Sequence, residues 1–228
     1  MGQVADAEGL KRRQAALLER AVRQWQPELA DRVVVVTGGA RGLGRVMAEG
    51  LLRAGARVVC ADKTWDGAEE FQSSLNSSDR SLAIGMDVTD NEAVEAGLAS
   101  VLEKFATIDV LVNNAGLVSE TWFAPNGHVA TLDTTDHDWE AMFGVNVFGT
   151  VKVIQRFITP MLEKGNGSIL NIVSSGVLST SIGGGFFGAR PWSVEMPYQA
   201  TKAALTALTF YLAQETRGDG VRVNALMP

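Results

Sequence analysis

The stretch of sequence that decides the fold is Val33-Val34-Val35-Val36-Thr37-Gly38-Gly39-Ala40-Arg41-Gly42-Leu43-Gly44. Four consecutive valines predict a buried β-strand, and the glycine-rich turn after them opens a helical pattern. Glycines in this turn let the backbone bend tightly and approach a pyrophosphate, whose charge then lies at the positive end of the helix. A strand-to-helix loop that binds no ligand is the alternative. We expect cofactor contacts at Gly38, Arg41, Gly42, Leu43 and Gly44.

Downstream of this turn, short β-branched runs alternate with segments of helical period, which is typical of an α/β fold. We predict strands at 33–36, 57–61, 82–86, 110–113, 168–173 and 221–225. Helices are predicted at 42–53, 66–75, 91–105, about 139–162 and 198–216. This order indicates a doubly wound parallel sheet with helices on both faces, which ends after its sixth strand.

The composition favours one globular domain that acts on small molecules. The chain has 228 residues, 46% of them apolar, with a net charge of −6, so we expect no nucleic-acid partner. The sequence has no apolar run near the roughly 20 residues of a membrane span, and we predict a soluble, cytoplasmic protein without a membrane partner. Cys60 is expected to be a buried apolar side chain. His128 and His137 lack metal-ligand spacing, so we predict no metal site.

Residues 1–30 differ from the rest of the chain. Leu10, Leu17, Leu18, Ala21, Val22 and Trp25 recur near helical spacing among basic residues. We predict an amphipathic helical extension that Pro27 ends, packed on the core or on a second subunit, and a separate catalytic domain at 31–228.

A carboxylate follows the second predicted strand. Asp62 stands eighteen residues beyond Gly44, where it can accept hydrogen bonds from the adenosine ribose hydroxyls. We therefore favour NAD over NADP, because a 2′-phosphate would meet this negative charge. Arg41 and Lys63 leave NADP open as the alternative, since either cation could hold its 2′-phosphate.

Tyr198 and Lys202 lie four residues apart on a predicted helix and share one face. An ammonium about 4 to 5 Å from a phenol oxygen stabilises the phenolate by roughly 3 to 4 kcal/mol at an effective dielectric near 20. Such a pair can transfer protons near neutral pH. The same spacing also occurs where a lysine stem merely covers an apolar surface.

From Asp31 to the last residue, the chain resembles the short-chain dehydrogenase/reductase family, which has a single Rossmann-type domain. The motifs that carry this resemblance occur in family order: the glycine turn, Asp62, Asp87-Val88, Asn113-Asn114-Ala115-Gly116, Asn146, Ser175, Tyr198 and Lys202. The resemblance implies that Asp87 and Val88 contact the adenine and that Asn114, Ala115 and Gly116 lie along the cofactor.

The resemblance also implies the catalytic roles. Tyr198 would be the general acid/base, Lys202 would hold the nicotinamide ribose, and Asn146 would position a relay water. Ser175 would bind the substrate oxygen; we choose it over the neighbouring Ser174 because the second serine of such a pair normally matches the family's catalytic residue.

The resemblance implies hydride transfer between NAD and a secondary alcohol or ketone. Aromatic residues and glycines in the long loop from Leu178 to Pro197, with Trp122, Phe123 and Pro125, suggest an apolar substrate pocket. An NADPH-dependent carbonyl or 3-oxoacyl reductase is one alternative, and a catalytically idle nucleotide-binding or scaffold subunit is another. We expect the C-terminal part of the family fold to be missing, and a homodimer or homotetramer to form through the long helices.

Overall fold

The computed structural model describes residues 7–125, 127, 129–179 and 196–228. Most of the predicted loop over the substrate pocket therefore lies outside the described residues, and so does His128.

Six parallel strands form one sheet in the order β3-β2-β1-β4-β5-β6. Their bounds are Val33–Thr37 (β1), Arg57–Asp62 (β2), Ser81–Gly85 (β3), Val110–Asn113 (β4), Gly167–Ile172 (β5) and Val221–Leu226 (β6). Each observed strand lies within one residue of a predicted one at either end. The predicted fold class, a doubly wound parallel sheet covered by helices, is confirmed.

The four valines of β1 explain why both faces of the sheet are covered. Val33 and Val35 belong to one apolar cluster, and Val34 and Val36 belong to another. Successive strand residues point to opposite faces, so a strand that is apolar at every position needs a core on each side. Cys60 lies in the second of these clusters, as a buried free thiol. Burial is the main cause that raises the pKa of the Cys60 thiol to about 12. Because the thiol therefore stays protonated, it is inert as a nucleophile.

The helices connect the strands as the hydrophobic periodicity predicts. Their bounds are Ala7–Leu29 (α1), Gly42–Arg53 (α2), Glu69–Asn76 (α3), Asn91–Phe105 (α4), Ser119–Trp122 (α5), Asp136–Phe143 (α6), Thr150–Phe157 (α7), Thr159–Lys164 (α8), Gly176–Ser179 (α9) and Tyr198–Glu215 (α10). The helix α1 contacts α2, and those of its side chains whose burial is described are mostly exposed. Pro27 lies inside its last turn, so the prediction that this proline ends the helix is wrong by two residues.

The predicted single helix at 139–162 is divided into α6, α7 and α8, with a π-helical segment at Gly144–Gly149 between the first two. Pro160 lacks an N–H donor, which accounts for the boundary between α7 and α8. The π-helical segment contains Asn146, whose side chain is bonded to neighbouring elements. Such widened turns commonly occur at functional sites.

No helix among the residues described here is long and apolar enough to cross a membrane.

Candidate active site

A cavity of about 830 Å³ lies at the carboxyl ends of the strands. The adjacent strands β1 and β4 flank it, at the point where the chain crosses from one half of the sheet to the other. Open α/β sheets bind ligands at such a switch point. Of the predicted site residues, thirteen line the cavity: Gly38, Arg41, Gly42, Leu43, Asp62, Lys63, Asp87, Val88, Asn114, Ala115, Gly116, Tyr198 and Lys202.

The glycine turn has the backbone that its sequence requires. Gly38 and Gly42 have φ values of +64° and +54°, in the left-handed region that favours glycine. A side chain at Gly44 would collide with the carbonyl of Gly38, so Gly44 packs the helix against the turn and does not itself line the cavity. The N-cap residue Arg41 forms no side-chain cap to α2, which leaves the first N–H groups of this helix available to a ligand.

Hydrogen bonds join the turns that follow β1 and β4. The Thr37 hydroxyl accepts from the N–H groups of Asn114 at 3.0 Å and Ala115 at 3.1 Å. The side-chain amide of Asn114 donates back to the carbonyls of Thr37 and Gly38, both at 3.0 Å. The two turns that face the cavity are thus held in one fixed relation.

The carboxylate of Asp62 accepts a hydrogen bond from the Ala40 N–H at 3.0 Å and lies at the edge of the glycine turn. Lys63 forms an ion pair with Asp87 at 2.8 Å. Partial burial of Asp87 opposes ionisation, but hydrogen bonds from Lys63 and Thr89 outweigh it and lower the pKa of this carboxyl. Arg41 is exposed, and its guanidinium lies 3.5 Å from the Thr64 carbonyl.

Tyr198 and Lys202 occupy the first two turns of α10. The Lys202 ammonium lies 5.5 Å from the centre of the Tyr198 ring and donates to the Ile172 carbonyl at 2.8 Å. Only 4% of Lys202 is exposed, and burial lowers the pKa of its ammonium to about 8. The ammonium therefore lies over the phenol ring on the inner side of the cavity.

Asn146 is completely buried and joins three elements. Its side-chain oxygen accepts from the Leu117 N–H at 2.7 Å, and its amide donates to the Leu117 carbonyl and to the Thr201 hydroxyl, both at 3.0 Å. Both amide hydrogens are thus used within the protein. The Thr150 hydroxyl also donates to the backbone carbonyl of Asn146 at 2.9 Å.

The two serines after β5 point in different directions. Ser174 lines the cavity, and its hydroxyl accepts from the Gly176 N–H at 3.2 Å. The Ser175 hydroxyl donates to the Pro228 carbonyl at 2.9 Å, and Ser175 is absent from the cavity wall. This geometry runs against the choice of Ser175 over Ser174.

Sequence reasoning missed several residues that line the cavity. These are Met86, Thr89, Leu117, Val118, Thr121, Val145, Ile172 and Val173. Most of them directly follow one of the motifs named above or lie at the end of a strand. This position in the sequence could have identified them as cavity residues. The role of Thr201 as the partner of Asn146 had no signal, because the two residues are 55 positions apart.

Within the described part of the chain, no group of three or more His, Cys, Asp or Glu side chains is arranged to hold a metal ion.

Comparisons with known proteins agree with this geometry. The family model for short chain dehydrogenases matches residues 32–228. A fluoren-9-ol dehydrogenase from a Terrabacter species is 64% identical over 216 residues, which cover 95% of this chain and 60% of that protein. A meso-2,3-butanediol dehydrogenase from Serratia marcescens is 36% identical, over 87% of this chain and 70% of that protein.

A solved structure has the same fold. The 3-ketoacyl-(acyl-carrier-protein) reductase from Brucella melitensis, complexed with NADH, superposes with a TM-score of 0.74 at 29% identity, over 88% of this chain and 76% of that one. The present chain thus spans between about three fifths and three quarters of the length of these proteins. The motifs, the cavity and these matches together show that the chain belongs to the short-chain dehydrogenase family.

Proposed function

We propose that this protein is an NAD-dependent dehydrogenase that interconverts an apolar secondary alcohol and its ketone. One observation carries the proposal: Tyr198, Lys202 and Ser174 line the same cavity as the glycine turn and Asp62. A proton-transfer pair and a nucleotide site are useful together only if both act on one bound substrate.

The cavity fits a dinucleotide at its sheet edge. The uncapped N–H groups at the start of α2 suit a pyrophosphate, and the space beyond Gly42 is open, because a side chain added there would meet no atom within 4 Å. Asp62 would hold the adenosine ribose, and Asp87 with Val88 would flank the adenine. Asn114, Ala115, Gly116 and Lys202 would lie along the nicotinamide half. When bound, this cofactor supplies the acceptor for the hydride that leaves the alcohol carbon.

The charges at the adenosine end favour NAD. Asp62 places a carboxylate where a 2′-phosphate would lie, and the ammonium of Lys63 is already paired with Asp87. Arg41 is exposed and could turn toward a phosphate, which is the observation that keeps an NADPH-dependent carbonyl or 3-oxoacyl reductase as the second candidate.

The catalytic roles follow from the cavity wall. Tyr198 accepts the proton of the substrate hydroxyl at its phenol oxygen during oxidation and returns it during reduction. The nearby Lys202 ammonium stabilises the phenolate. We assign the substrate-binding hydroxyl to Ser174, in place of Ser175, because Ser174 lines the cavity. Asn146 acts as a positioning residue, since its side chain links the cavity segment at Leu117 to the helix that carries Tyr198.

The substrate end of the cavity is mostly apolar. Its wall includes Leu117, Val118, Trp122, Val145 and Ile172. A charged substrate would lose its hydration there with little compensation. The name of the Terrabacter relative points to the same chemistry, an alcohol on a hydrophobic body.

The first prediction concerns Tyr198. We expect Tyr198→Phe to lower kcat for fluoren-9-ol oxidation by roughly 100- to 10,000-fold, because the ring keeps its packing but loses the proton-transfer oxygen. The NADH dissociation constant, measured by fluorescence titration, should change little. Tyr211→Phe is the matched control, since Tyr211 is an exposed tyrosine on the same helix and should retain full activity. Unimpaired turnover by Tyr198→Phe would contradict the assigned role.

The second prediction separates the two serines. Ser174→Ala should lower kcat/KM roughly 100-fold, because a hydrogen bond to the developing alkoxide is lost. Ser175→Ala should keep kcat/KM within about threefold of the parent, since its hydroxyl bonds the Pro228 carbonyl. Steady-state kinetics on both variants decides the assignment, and the reverse pattern would restore Ser175 as the catalytic residue.

The third prediction concerns cofactor choice. The parent protein should bind NADH more tightly than NADPH, and Asp62→Asn should narrow this preference roughly tenfold, because the amide removes the charge that repels a 2′-phosphate. The amide oxygen can still accept from Ala40, so the turn is kept. Asp66→Asn removes the same charge from an exposed side chain nearby and should leave both affinities unchanged. Tighter binding of NADPH by the parent would instead assign a phosphate to Arg41.

The fourth prediction concerns assembly. Exposed aromatic side chains lie on two elements: Phe148 on the π-helical segment, and Phe210 and Tyr211 on α10. The π-helical segment and α10 contact each other. We infer that a second copy of this chain covers them, in a homodimer or homotetramer. Light scattering should show a multimer for the parent and a smaller species for Phe210→Glu. Val46→Glu alters an exposed apolar residue on α2 and should leave the mass unchanged. A monomeric parent would refute this inference.

A further inference from the structure

The wall of the cavity beyond Gly116 is built from one continuous segment. Leu117, Val118, Thr121 and Trp122 all line the cavity, and the short helix α5 carries the last two of them. Trp122 has the largest side chain of this wall. Its orientation therefore controls the shape of the space that is left for a substrate.

The indole of Trp122 is held from outside the cavity. Its N–H donates to the Asp138 side chain at 2.7 Å, and the ring centres of Trp122 and His137 are 5.5 Å apart with the planes tilted by 48°. Both partners lie on α6. An aromatic ring that is fixed before binding loses little conformational freedom when a ligand stacks on it.

Asp138 is itself fixed, which makes it an effective anchor. Its second oxygen accepts from the backbone N–H of Thr135 at 2.7 Å and from the Thr135 hydroxyl at 2.8 Å. These backbone and indole hydrogen bonds lower the pKa of Asp138, so the carboxylate is charged at working pH. A hydrogen bond to a charged acceptor is about twice as strong as a neutral one.

The polar edge of the indole is thus used outside the cavity, and what remains for the cavity is carbon surface. Aromatic pairs gain roughly 0.5 to 1.5 kcal/mol beyond area burial, equivalent to about a 2- to 13-fold change in affinity. A saturated ring of similar size gains only the area term. A rigid indole on this wall therefore discriminates between aromatic and saturated substrates.

We propose that Trp122 is the specificity-determining residue of this site and forms a subsite for alcohols and ketones whose carbinol or carbonyl carbon is attached to aromatic rings, with Asp138 as the residue that positions it. The proposal rests on the proposed function, because it locates the substrate in the same cavity.

Calorimetric titration of the protein–NAD⁺ complex with fluoren-9-one tests the subsite without turnover, because neither the oxidised cofactor nor the ketone can give up a hydride. Trp122→Ala should weaken binding of this ketone up to roughly tenfold more than it weakens binding of perhydrofluoren-9-one, the saturated ketone of similar size, because only the aromatic ketone loses the ring–ring gain as well as the area term. The affinity for NADH should stay the same in both proteins. An unchanged ratio of the two ketone affinities would overturn the proposal, and so would failure of the parent complex to bind fluoren-9-one.

A double-mutant cycle tests the anchor. Trp122→Phe keeps a ring but removes the N–H, and Asp138→Ala removes the acceptor, so each should weaken fluoren-9-one binding by about threefold. The double variant should be no weaker than either single one, because both remove the same bond. Fully additive effects would contradict the anchoring role. Thr135→Val removes the hydroxyl contact that helps to fix Asp138 but keeps the indole bond, so it should weaken fluoren-9-one binding less than either single variant does.

These binding results are separable from the proposed function. A parent protein that binds fluoren-9-one tightly through Trp122 but fails to oxidise fluoren-9-ol would support the subsite and refute the dehydrogenase activity. Oxidation of fluoren-9-ol and of its saturated analogue perhydrofluoren-9-ol with the same ratio of kcat/KM in the parent and in Trp122→Ala would support the activity and refute the subsite.

Discussion

The hydrogen bonds between Thr37 and Asn114 are the constraint on which the site depends. They join the turns after β1 and β4. These adjacent strands are the point at which the strand order of the sheet reverses. The glycine turn is on one side of this junction, and the segment that leads through Gly116 to the substrate wall is on the other. Both turns would otherwise be separate loops. With the junction in place, the proposed nucleotide-binding half and the proposed catalytic half keep a fixed distance.

Asn146 provides a second junction of the same kind. Through Leu117 it holds the start of the substrate wall, and through Thr201 it holds the helix that carries Tyr198 and Lys202. An asparagine within apolar helical sequence is costly unless its amide is fully bonded. Here both amide hydrogens are bonded, so the substrate wall and the proton-transfer pair share one rigid support. The widened π-helical turn places this side chain between the two elements.

How much the sequence predicts depends on whether a feature is local. The strands and most helices follow from periodicity, because four adjacent valines or a repeat of apolar residues can be buried in few ways. The division of the helix around Asn146 was not predictable in this way, since the π-helical turn depends on contacts with Leu117 and Thr201. The choice of Ser175 over Ser174 stays a prediction for a similar reason, because the hydroxyl that faces the cavity depends on how the chain runs after β5. The pairing of Lys63 with Asp87 joins residues on different turns and also had no local signal.

The burial of Lys202 favours the proposed functional interpretation of its spacing from Tyr198. A lysine that only covers apolar surface keeps its ammonium in water, because the charge is costly to bury. Here the side chain is 4% exposed, and desolvation lowers the pKa of the ammonium to about 8. One of its three donors goes to the Ile172 carbonyl at 2.8 Å. Hydroxyl oxygens of a bound ligand, together with an ionised Tyr198, would accept from this ammonium and favour its charged form. The protein tolerates this cost in a cavity where a bound ligand could offset it, which is a common sign of a functional residue.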